Sequence, residues 1–531
     1  MLDLTLAKVD LKSIGPGVVC GNFFWSREEL IERSLKIASA LASLGIKKDD
    51  SIAIFMRNDL DFLTVSLAAS ALSAHAVPIN WHFKAPEVDY IIKDCDPKVV
   101  ITHSDLYNSV LSKINISAPL CYVKTPEHIR KAFEIDKDQI QCKGLVELET
   151  WINDFKPYSL ELSAPRHSMI YTSGTTGRPK GVKREAFKDY QLSILREINR
   201  EVLGITKFMR TVIPAPLYHS APNIYALSAF RNKGLVVLPP RFDPEELLRI
   251  ISEFSITHIQ LVPSMIVKIV KIAQEALKNY DLSSLEHIVH AAAPIAPDVK
   301  RKFIEIVGPI VYEYYGSTET GAITWCDTHE WLKKPGTVGK PVKGCEVIIV
   351  GDNKEILGPY QQGEIFVKNS YYPNFTYHND ENKRKEIEFN GFITAGDVGY
   401  LDEDGYLFLC DRKKDMIISG GVNIYPAEIE SVIISIPAIK DCGVFSLPDE
   451  YLGEKVAAVI EVDQNVDKDL LLSELTTKLK EEIANYKIPK IFLVAANLPR
   501  DDSGKLFKRK IRDQILTQFK PEQLNAGIIW M

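Results

Sequence analysis

Segments of helical period alternate with short β-branched runs along most of this chain, and no other feature constrains its fold as tightly. The spacing predicts helices at Glu28 to Leu44, Asp59 to Ala74, Pro244 to Phe254 and Ser264 to Lys278. Between them it predicts strands at Ser51 to Met56, Lys98 to Thr102, His258 to Val262 and His287 to His290. Such alternation implies α/β architecture, with doubly wound parallel sheets and crossover helices on both faces. Ligands of such folds bind beyond the carboxyl ends of the strands. At 531 residues the chain is too long for one core, so two or more domains are expected. From about Thr337 the texture changes to shorter strands with Gly-rich turns: Glu346 to Val350, Gly363 to Val367 and Gly399 to Cys410. That change implies an antiparallel or barrel-like subdomain over about 337–411, with a hairpin turning at Asp404-Gly405. Alternation resumes after the charged run Asp411-Arg412-Lys413-Lys414-Asp415, which marks the boundary between a large N-terminal domain, 1–411, and a small C-terminal α+β domain, 415–531.

One loop carries most of the chemistry. Tyr171 to Val182 reads Tyr-Thr-Ser-Gly-Thr-Thr-Gly-Arg-Pro-Lys-Gly-Val, with hydroxyls at Thr172, Ser173, Thr175 and Thr176 and cations at Arg178 and Lys180. Gly174, Gly177 and Gly181 let the backbone take positive φ and bring its N–H groups close to an anion. Hydroxyl and cationic side chains add donors to phosphate oxygens, so the segment reads as a polyphosphate cradle. No Gly-x-x-x-x-Gly-Lys-Ser/Thr spacing passes through it, so it is not a Walker A loop. A plain Gly/Ser/Thr connector would not call for the Arg-Pro-Lys-Gly ending.

Composition narrows the partners. With 64 basic against 70 acidic residues and a net charge of −6, nothing favours nucleic acid. The eight cysteines form no Cys-x-x-Cys pair and no metal spacing, which implies buried thiols of a reducing compartment. The N-terminal Met-Leu-Asp-Leu-Thr carries early charge and no apolar h-region, so no signal peptide is visible. Phe62 to Ile79 is the most apolar stretch, but its Ser, Ala, His and Pro content fits an interior helix running into a strand and not a membrane span. A cytoplasmic protein, monomer or homodimer, is the expectation.

Four further segments complete the pattern: Tyr314-Tyr315-Gly316-Ser317-Thr318-Glu319-Thr320-Gly321, Ala395-Gly396-Asp397-Val398-Gly399-Tyr400, the run Asp411 to Glu430, and Pro499-Arg500-Asp501-Asp502-Ser503-Gly504-Lys505. Together, in this order, they resemble the adenylate-forming superfamily of acyl-CoA synthetases, luciferases and peptide-synthetase adenylation domains, from about residue 25 to about 515. The resemblance implies ATP, Mg2+ and coenzyme A as co-substrates, and two half-reactions in which a carboxylic acid becomes an acyl-adenylate and then a thioester. Two anions must meet in the first, so catalysis needs positive charge at the reacting oxygens and in-line positioning. Lys505 matches the lysine that bridges carboxylate and phosphate; Thr318 and Glu319 match the residues holding the α-phosphate and Mg2+. The loop from Thr172 through Ser173, Gly174, Thr175, Thr176 and Gly177 to Lys180 matches the cover of the β- and γ-phosphates. Tyr315, followed by Gly316, resembles the aromatic beside adenine, and Asp397 with Arg412 resembles the pair that holds the ribose hydroxyls. Lys414 occupies the hinge position about which the small domain swings, and Gly420-Gly421 would line the pantetheine passage. Taken singly, Lys505 could belong to a basic tail, Glu319 could cap a helix and Asp397 could be a turn aspartate. Many relatives carry Thr where this chain has Ala395, which removes one polar contact.

Amino-acid-activating relatives place an Asp in the substrate segment to pair the α-ammonium. The corresponding Pro214 to Asn223 has no carboxylate, which disfavours an amino-acid substrate. His219 resembles the pocket histidine, and His290 to Pro294, with Ala291, Ala292 and Ala293, is small and apolar, leaving room for an alkyl chain or flat ring. No carrier domain follows Lys505, so free CoA is the expected acceptor. The segments around Asn80 to Lys84 and Tyr218 to Asn223 look most like bacterial fatty-acid and bile-acid ligases. A medium- or long-chain fatty acid is therefore expected, with aryl, cinnamate-type or bile acids as alternatives. A luciferase-like enzyme shares every motif, whereas a nucleotide sensor would not need Lys505 and the Gly420-Gly421 passage together.

Overall fold

Helix Arg27–Ser43 starts at Ser26, whose hydroxyl accepts from Glu29 N while the Glu29 carboxylate accepts from Ser26 N. This reciprocal cap satisfies two of the four orphan donors at a helix start. The computed structural model describes residues 10–136, 142, 144–159, 166–173, 179–449, 451–462, 466, 468–500, 506–519, 524 and 528–530. Two sheets flank the helix. In the nine-stranded one the central strands Val311–Ser317, His287–His290, His258–Leu261, Arg210–Val212, Leu235–Leu238 and Gly17–Cys20 run parallel in that order. The five-stranded one is parallel throughout, ordered His75–Pro78, Ser51–Phe55, Val99–His103, Leu120–Val123 and Val146–Glu147. Their facing sides share one core with Arg27–Ser43, Leu60–Ala71 and Ser220–Arg231, through residues such as Val18, Ile37, Ile54, Phe62 and Tyr225.

Helix Leu60–Ala71 is buried nearly all round, which explains the apolar run that begins at Phe62. Asp61, on this helix, is paired with Arg33 at 2.7 Å, so the buried charge has a partner. Among the described residues no helix is long and apolar enough to cross a membrane. The expected helix Ser264 to Lys278 is broken: Pro263–Val270 stops, and Gln274–Leu277 forms a separate turn. The β-branched run lowers helix propensity there, and Ile272 N bonds back to Ile269 O, one residue short of the α-helical partner.

Strands Cys345–Val350, Gly363–Asn369, Phe392–Leu401, Glu388–Phe389 and Leu407–Arg412 form a five-stranded antiparallel sheet, in keeping with the change of texture after Thr337. The hydroxyl-rich segment sits differently from a loop between a parallel strand and a helix. Strand Ile170–Ser173 pairs antiparallel with Pro179–Arg184, Ser173 opposite Pro179, and Phe375–Tyr377 completes a three-stranded sheet. The small C-terminal domain holds a mixed six-stranded sheet. Helices Pro426–Ile434 and Lys468–Glu482 cover one core of that sheet, and Lys508–Gln518 covers a second.

Candidate active site

The ends of several elements meet around one cavity of about 1680 Å³. Strands Val311–Ser317 and Gly321–Cys326 are antiparallel, so Thr318, Glu319 and Thr320 form the tight connection between them. Ser317 N donates to Thr320 Oγ1 and Thr320 N to Ser317 Oγ, which closes that turn with side-chain hydroxyls. No helix begins here, so Glu319 is not a helix cap. Gly316 is required by the same turn: a Cβ on it would lie 2.1 Å from Gly321 O.

Side chains then converge on the turn. Thr172 Oγ1 donates to Glu319 Oε1 at 3.0 Å and Tyr377 OH to the same oxygen at 3.3 Å. Ser220, first residue of helix Ser220–Arg231, lies 2.9 Å from Thr318 Oγ1, hydroxyl to hydroxyl. Arg184 is buried behind the turn, donating to Thr318 O, to Glu319 O at 2.6 Å and to Pro373 O at 2.8 Å. Its guanidinium also stacks on Tyr372 at 4.1 Å. Lys180 reaches inward from the hairpin but is paired with Asp380 at 2.7 Å, over the Tyr377 ring.

Register assembles a second cluster. Asp397 on strand Phe392–Leu401 faces Arg412 on Leu407–Arg412, with Arg412 Nε 3.5 Å from its Oδ1. Tyr315 OH donates to Asp397 Oδ2 at 2.7 Å. Asp397 is therefore a strand residue, preceded by Gly396 at φ 80°, and not a turn aspartate. Burial pushes its carboxyl up from the ordinary value, while Arg412 and the Tyr315 hydroxyl pull it back. Ala395 offers no hydroxyl, but Thr394 beside it accepts from Gly396 N at 2.9 Å and bonds Glu364 at 3.0 Å.

Of the residues singled out in the sequence, Thr172, Lys180, His219, Ala291, Ala292, Gly316, Thr318, Glu319, Asp397, Arg412 and Lys414 line this cavity. Tyr315 backs it through Asp397. Ala292 holds φ at 80°, a strained value for a residue with a Cβ and one that clusters at functional sites. Ala293 departs from expectation, lining a neighbouring cavity of about 1260 Å³ with Pro294, Phe242 and Met265. The bend at Ala292, with its left-handed backbone, turns the chain so that Ala293 faces the other cavity. Gly420 and Gly421 line neither cavity. They form the exposed two-residue turn between Ile417–Ser419 and Val422–Ile424, with φ of 57° and 81°. Lys414 lies in the connection between the antiparallel sheet and that hairpin, where burial and then Arg412 lower its pKa. Gly174, Thr175, Thr176, Gly177 and Lys505, and the side chain of Ser173, lie outside the described residues. Arg500 and Leu506, which flank the last stretch, are bridged, and Phe507 lines the first cavity.

Sequence reasoning missed Arg184, Tyr377 and Ser220. Arg184 had one readable signal, a cation four residues beyond Lys180 on a strand; Tyr377 had none, because its strand joins the site only through pairing with Pro179–Arg184.

Known proteins carry the same plan. Residues 16–372 match the AMP-binding enzyme family, and residues 428–505 match the AMP-binding enzyme C-terminal domain. The 2-succinylbenzoate–CoA ligase of Bacillus subtilis is 31% identical over 492 residues, covering 91% of this chain and 92% of its own. The long-chain-fatty-acid–CoA ligase FadD13 of Mycobacterium tuberculosis is 31% identical over 492 residues, covering 90% and 91%. The o-succinylbenzoate CoA synthetase of Bacillus subtilis, solved with its acyl-adenylate intermediate, superposes with a TM-score of 0.75 at 28% identity, covering 94% of this chain and 95% of that one. Five ordered motifs, a cavity lined by residues of four of them, and likeness over nine-tenths of the length lead to one conclusion: this chain belongs to the AMP-binding enzyme family and is an AMP-forming acid–thiol ligase.

Proposed function

We propose that this acyl-CoA ligase acts on a bulky apolar carboxylic acid, a medium- or long-chain fatty acid first among them. In the first half-reaction a carboxylate oxygen of the acid attacks the α-phosphorus of ATP, and pyrophosphate leaves. In the second the CoA sulfur attacks the acyl carbonyl, the thiol proton is lost, and AMP leaves with the electron pair of the mixed anhydride. Thr318 holds the α-phosphate, Asp397 and Arg412 hold the ribose, and Lys505 neutralises the reacting oxygens. Glu319 suits Mg2+: it is a hard oxygen donor, and among the described residues both hydrogen bonds to its carboxylate fall on Oε1. Bound there, the ion would screen the phosphate charge. Lys414 serves as the hinge between the 1–411 and 415–531 domains, and the exposed Gly420-Gly421 turn comes to the site when that hinge rotates.

The observation that carries the substrate reading is the helix Ser220–Arg231. Ser220, Asn223, Ile224, Leu227, Ser228 and Arg231 all line the same cavity, at the spacing of one helix face. A helix of 12 residues is about 18 Å long, so the cavity runs that far from Thr318 at one end to Arg231 at the other. Leu195, Ile198, Leu203 and Leu227 supply apolar wall. Each buried methylene favours binding by about 0.8 kcal/mol. Pyrophosphate exchange over a series of fatty acids should show kcat/KM rising steeply and then levelling at the cavity end. Ala291→Leu should move that plateau to shorter chains, because a close-packed wall absorbs extra volume poorly. A flat profile, or a best substrate bearing an α-amino group, would overturn the reading.

Arg231 favours a second reading. It lines the far end of the cavity with an exposed side chain, and its hydrogen bond is to Ser70 at 3.3 Å, with no ion pair to a carboxylate among the described residues. A cation so placed suits an acid with a second carboxylate at its far end, as the name 2-succinylbenzoate describes for one relative. Arg231→Ala separates the two: activity on dodecanoate should survive, whereas a distal-carboxylate substrate should lose about 10-fold or more.

A pH effect follows from Asp397. It must be ionised to accept ribose hydroxyls, and its pKa is raised by burial. ATP affinity should fall as pH drops through that raised value. Asp397→Asn should bind ATP weakly at all pH values, with the pH dependence gone. For folding the sign is opposite: a raised carboxyl pKa favours the native state at low pH, and that contribution is lost as pH rises through the folded value.

A further inference from the structure

Outside the lining of the catalytic cavity, the fold gathers four side chains that chain position keeps far apart. Cys20 ends strand Gly17–Cys20, Asp59 caps helix Leu60–Ala71, His103 ends strand Val99–His103, and His128 lies on helix Glu127–Ala132. None of them lines the catalytic cavity. Cys20 Sγ is 3.3 Å from His128 Nε2 and 3.5 Å from Asp59 Oδ1. One ligand atom from each of Cys20, Asp59 and His128 lies within 4.8 Å of the others. A tetrahedral zinc ion sits about 2.3 Å from sulfur and about 2.0–2.2 Å from nitrogen or oxygen, which places its ligand atoms roughly 3.3–3.6 Å apart. The two measured edges already fall in or beside that range.

We propose that Cys20, Asp59 and His128 supply three of the four ligands of a Zn2+ site that braces the fold, water taking the fourth position, with His103 as the outer residue that orients Asp59. His103 Nδ1 accepts from Arg57 N, so the ring proton sits on Nε2 and is donated to Asp59 Oδ2 at 3.1 Å. That bond fixes the carboxylate and leaves Oδ1 toward Cys20, the arrangement by which outer partners orient metal ligands. His128 presents Nε2, the ring atom 3.3 Å from Cys20 Sγ, as its ligand atom. On binding, the Cys20 thiol gives up its proton to solvent and the thiolate takes the metal. One thiolate and one carboxylate then cancel the charge of the dication inside a buried pocket, where an uncompensated ion would be costly. Cys20 and Asp59 are each 4% exposed and His103 is fully buried, so such a pocket exists. Gly21 makes room for the third ligand: at φ 59°, a Cβ there would lie 2.6 Å from the His128 ring. A thiolate, an imidazole and a carboxylate suit zinc better than Mg2+. The ion would tie the nine-stranded sheet, through Cys20, to the five-stranded sheet and its flanking helices. Its effect is therefore on stability and not on the chemical step.

The full-length protein, stripped with EDTA and desalted, is the starting point. Given one equivalent of Zn2+ and passed through a desalting column, it should retain one zinc per chain by elemental analysis and melt at a higher temperature. Co2+ should give a thiolate-to-cobalt charge-transfer band, whose appearance reports sulfur ligation directly. Cys20→Ser should abolish that band, and His128→Gln should weaken zinc retention at least 10-fold. Cys345→Ser should change neither. His128 is half-buried on a short helix, so its variant tests the site even where Cys20→Ser fails to fold. Wild-type protein that retains no zinc, or a cobalt spectrum without the thiolate band, would show that the cluster is a hydrogen-bonded group only. Pyrophosphate exchange by the Mg2+-supplied enzyme should be the same with and without zinc at temperatures where both are folded.

Discussion

Replacing Lys505 by Ala should reduce acyl-adenylate formation about 10²–10³-fold while leaving the conversion of supplied acyl-adenylate and CoA to thioester nearly intact. The asymmetry comes from charge. In the first half-reaction a carboxylate approaches a triphosphate, and a cation aimed at the reacting oxygens stabilises the transition state more than the separated ground state. In the second, a thiol meets an already activated carbonyl, and that demand is gone. Phe507, two residues beyond the lysine in sequence, lines the cavity, and Leu506 is bridged to Arg500. Pyrophosphate exchange measures the first half-reaction and thioester formation from synthetic acyl-adenylate the second. Equal loss in both would remove Lys505 from the role.

Gly421→Leu is the converse test: thioester formation should fall and pyrophosphate exchange should persist. A Cβ at Gly421 meets nothing within 4 Å in this arrangement, so direct obstruction would arise only after the small domain rotates. Strain is the confounding effect, since φ there is 81°. Gly421→Asn separates the two causes, because Asn adopts left-handed backbone readily while still narrowing the passage less than Leu. Loss of thioester formation in Asn as well as in Leu indicates obstruction; loss in Leu with Asn at the wild-type level indicates strain in the turn.

Helix Pro244–Phe254 and strand His287–His290 were legible to the residue because their ends are written locally. Asp243 caps the helix through Glu246 N, Pro244 takes its first position, and Ser255 closes it in the left-handed region. Ser264 to Lys278 was misread for the complementary reason. Its apolar period continues through Lys271, and only the backbone preference of its β-branched residues and the neighbouring chain segments interrupt it. The site was legible as motifs and illegible as geometry. Tyr315, Asp397 and Arg412 each announce themselves in a separate segment, but their meeting depends on a strand register that shifts between Val398 and Gly399. A one-residue slip would point Asp397 out of the site. The zinc cluster was hidden more completely. Metal spacing is visible in sequence when ligands share a loop or helix, and Cys20, Asp59 and His128 share neither.

Arg184→Lys should lower acyl-adenylate formation about 100-fold, although the charge is kept. The guanidinium serves three carbonyls at once, Thr318 O, Glu319 O and Pro373 O, with its face against Tyr372. An ammonium is a point donor on a flexible stem and cannot reproduce that planar fork. Charged hydrogen bonds of this kind contribute about 1.5–3 kcal/mol each, so losing even one loosens the turn that presents Thr318 and Glu319. Burial already lowers the pKa of Arg184, and a lysine in the same place would be driven further toward its neutral form. The variant should also melt earlier, so the rates must be compared where circular dichroism shows both proteins folded. The diagnostic readout is the contrast between ligands. Asp397 and Arg412 lie on the antiparallel sheet, apart from the carbonyls that Arg184 serves, so adenosine, which has the ribose and no phosphate, should bind the variant with nearly wild-type affinity. ATP turnover with Mg2+, which draws on Thr318 and Glu319, should carry the whole loss. If adenosine affinity and turnover fall together, Arg184 supports the domain in general and does not position the turn.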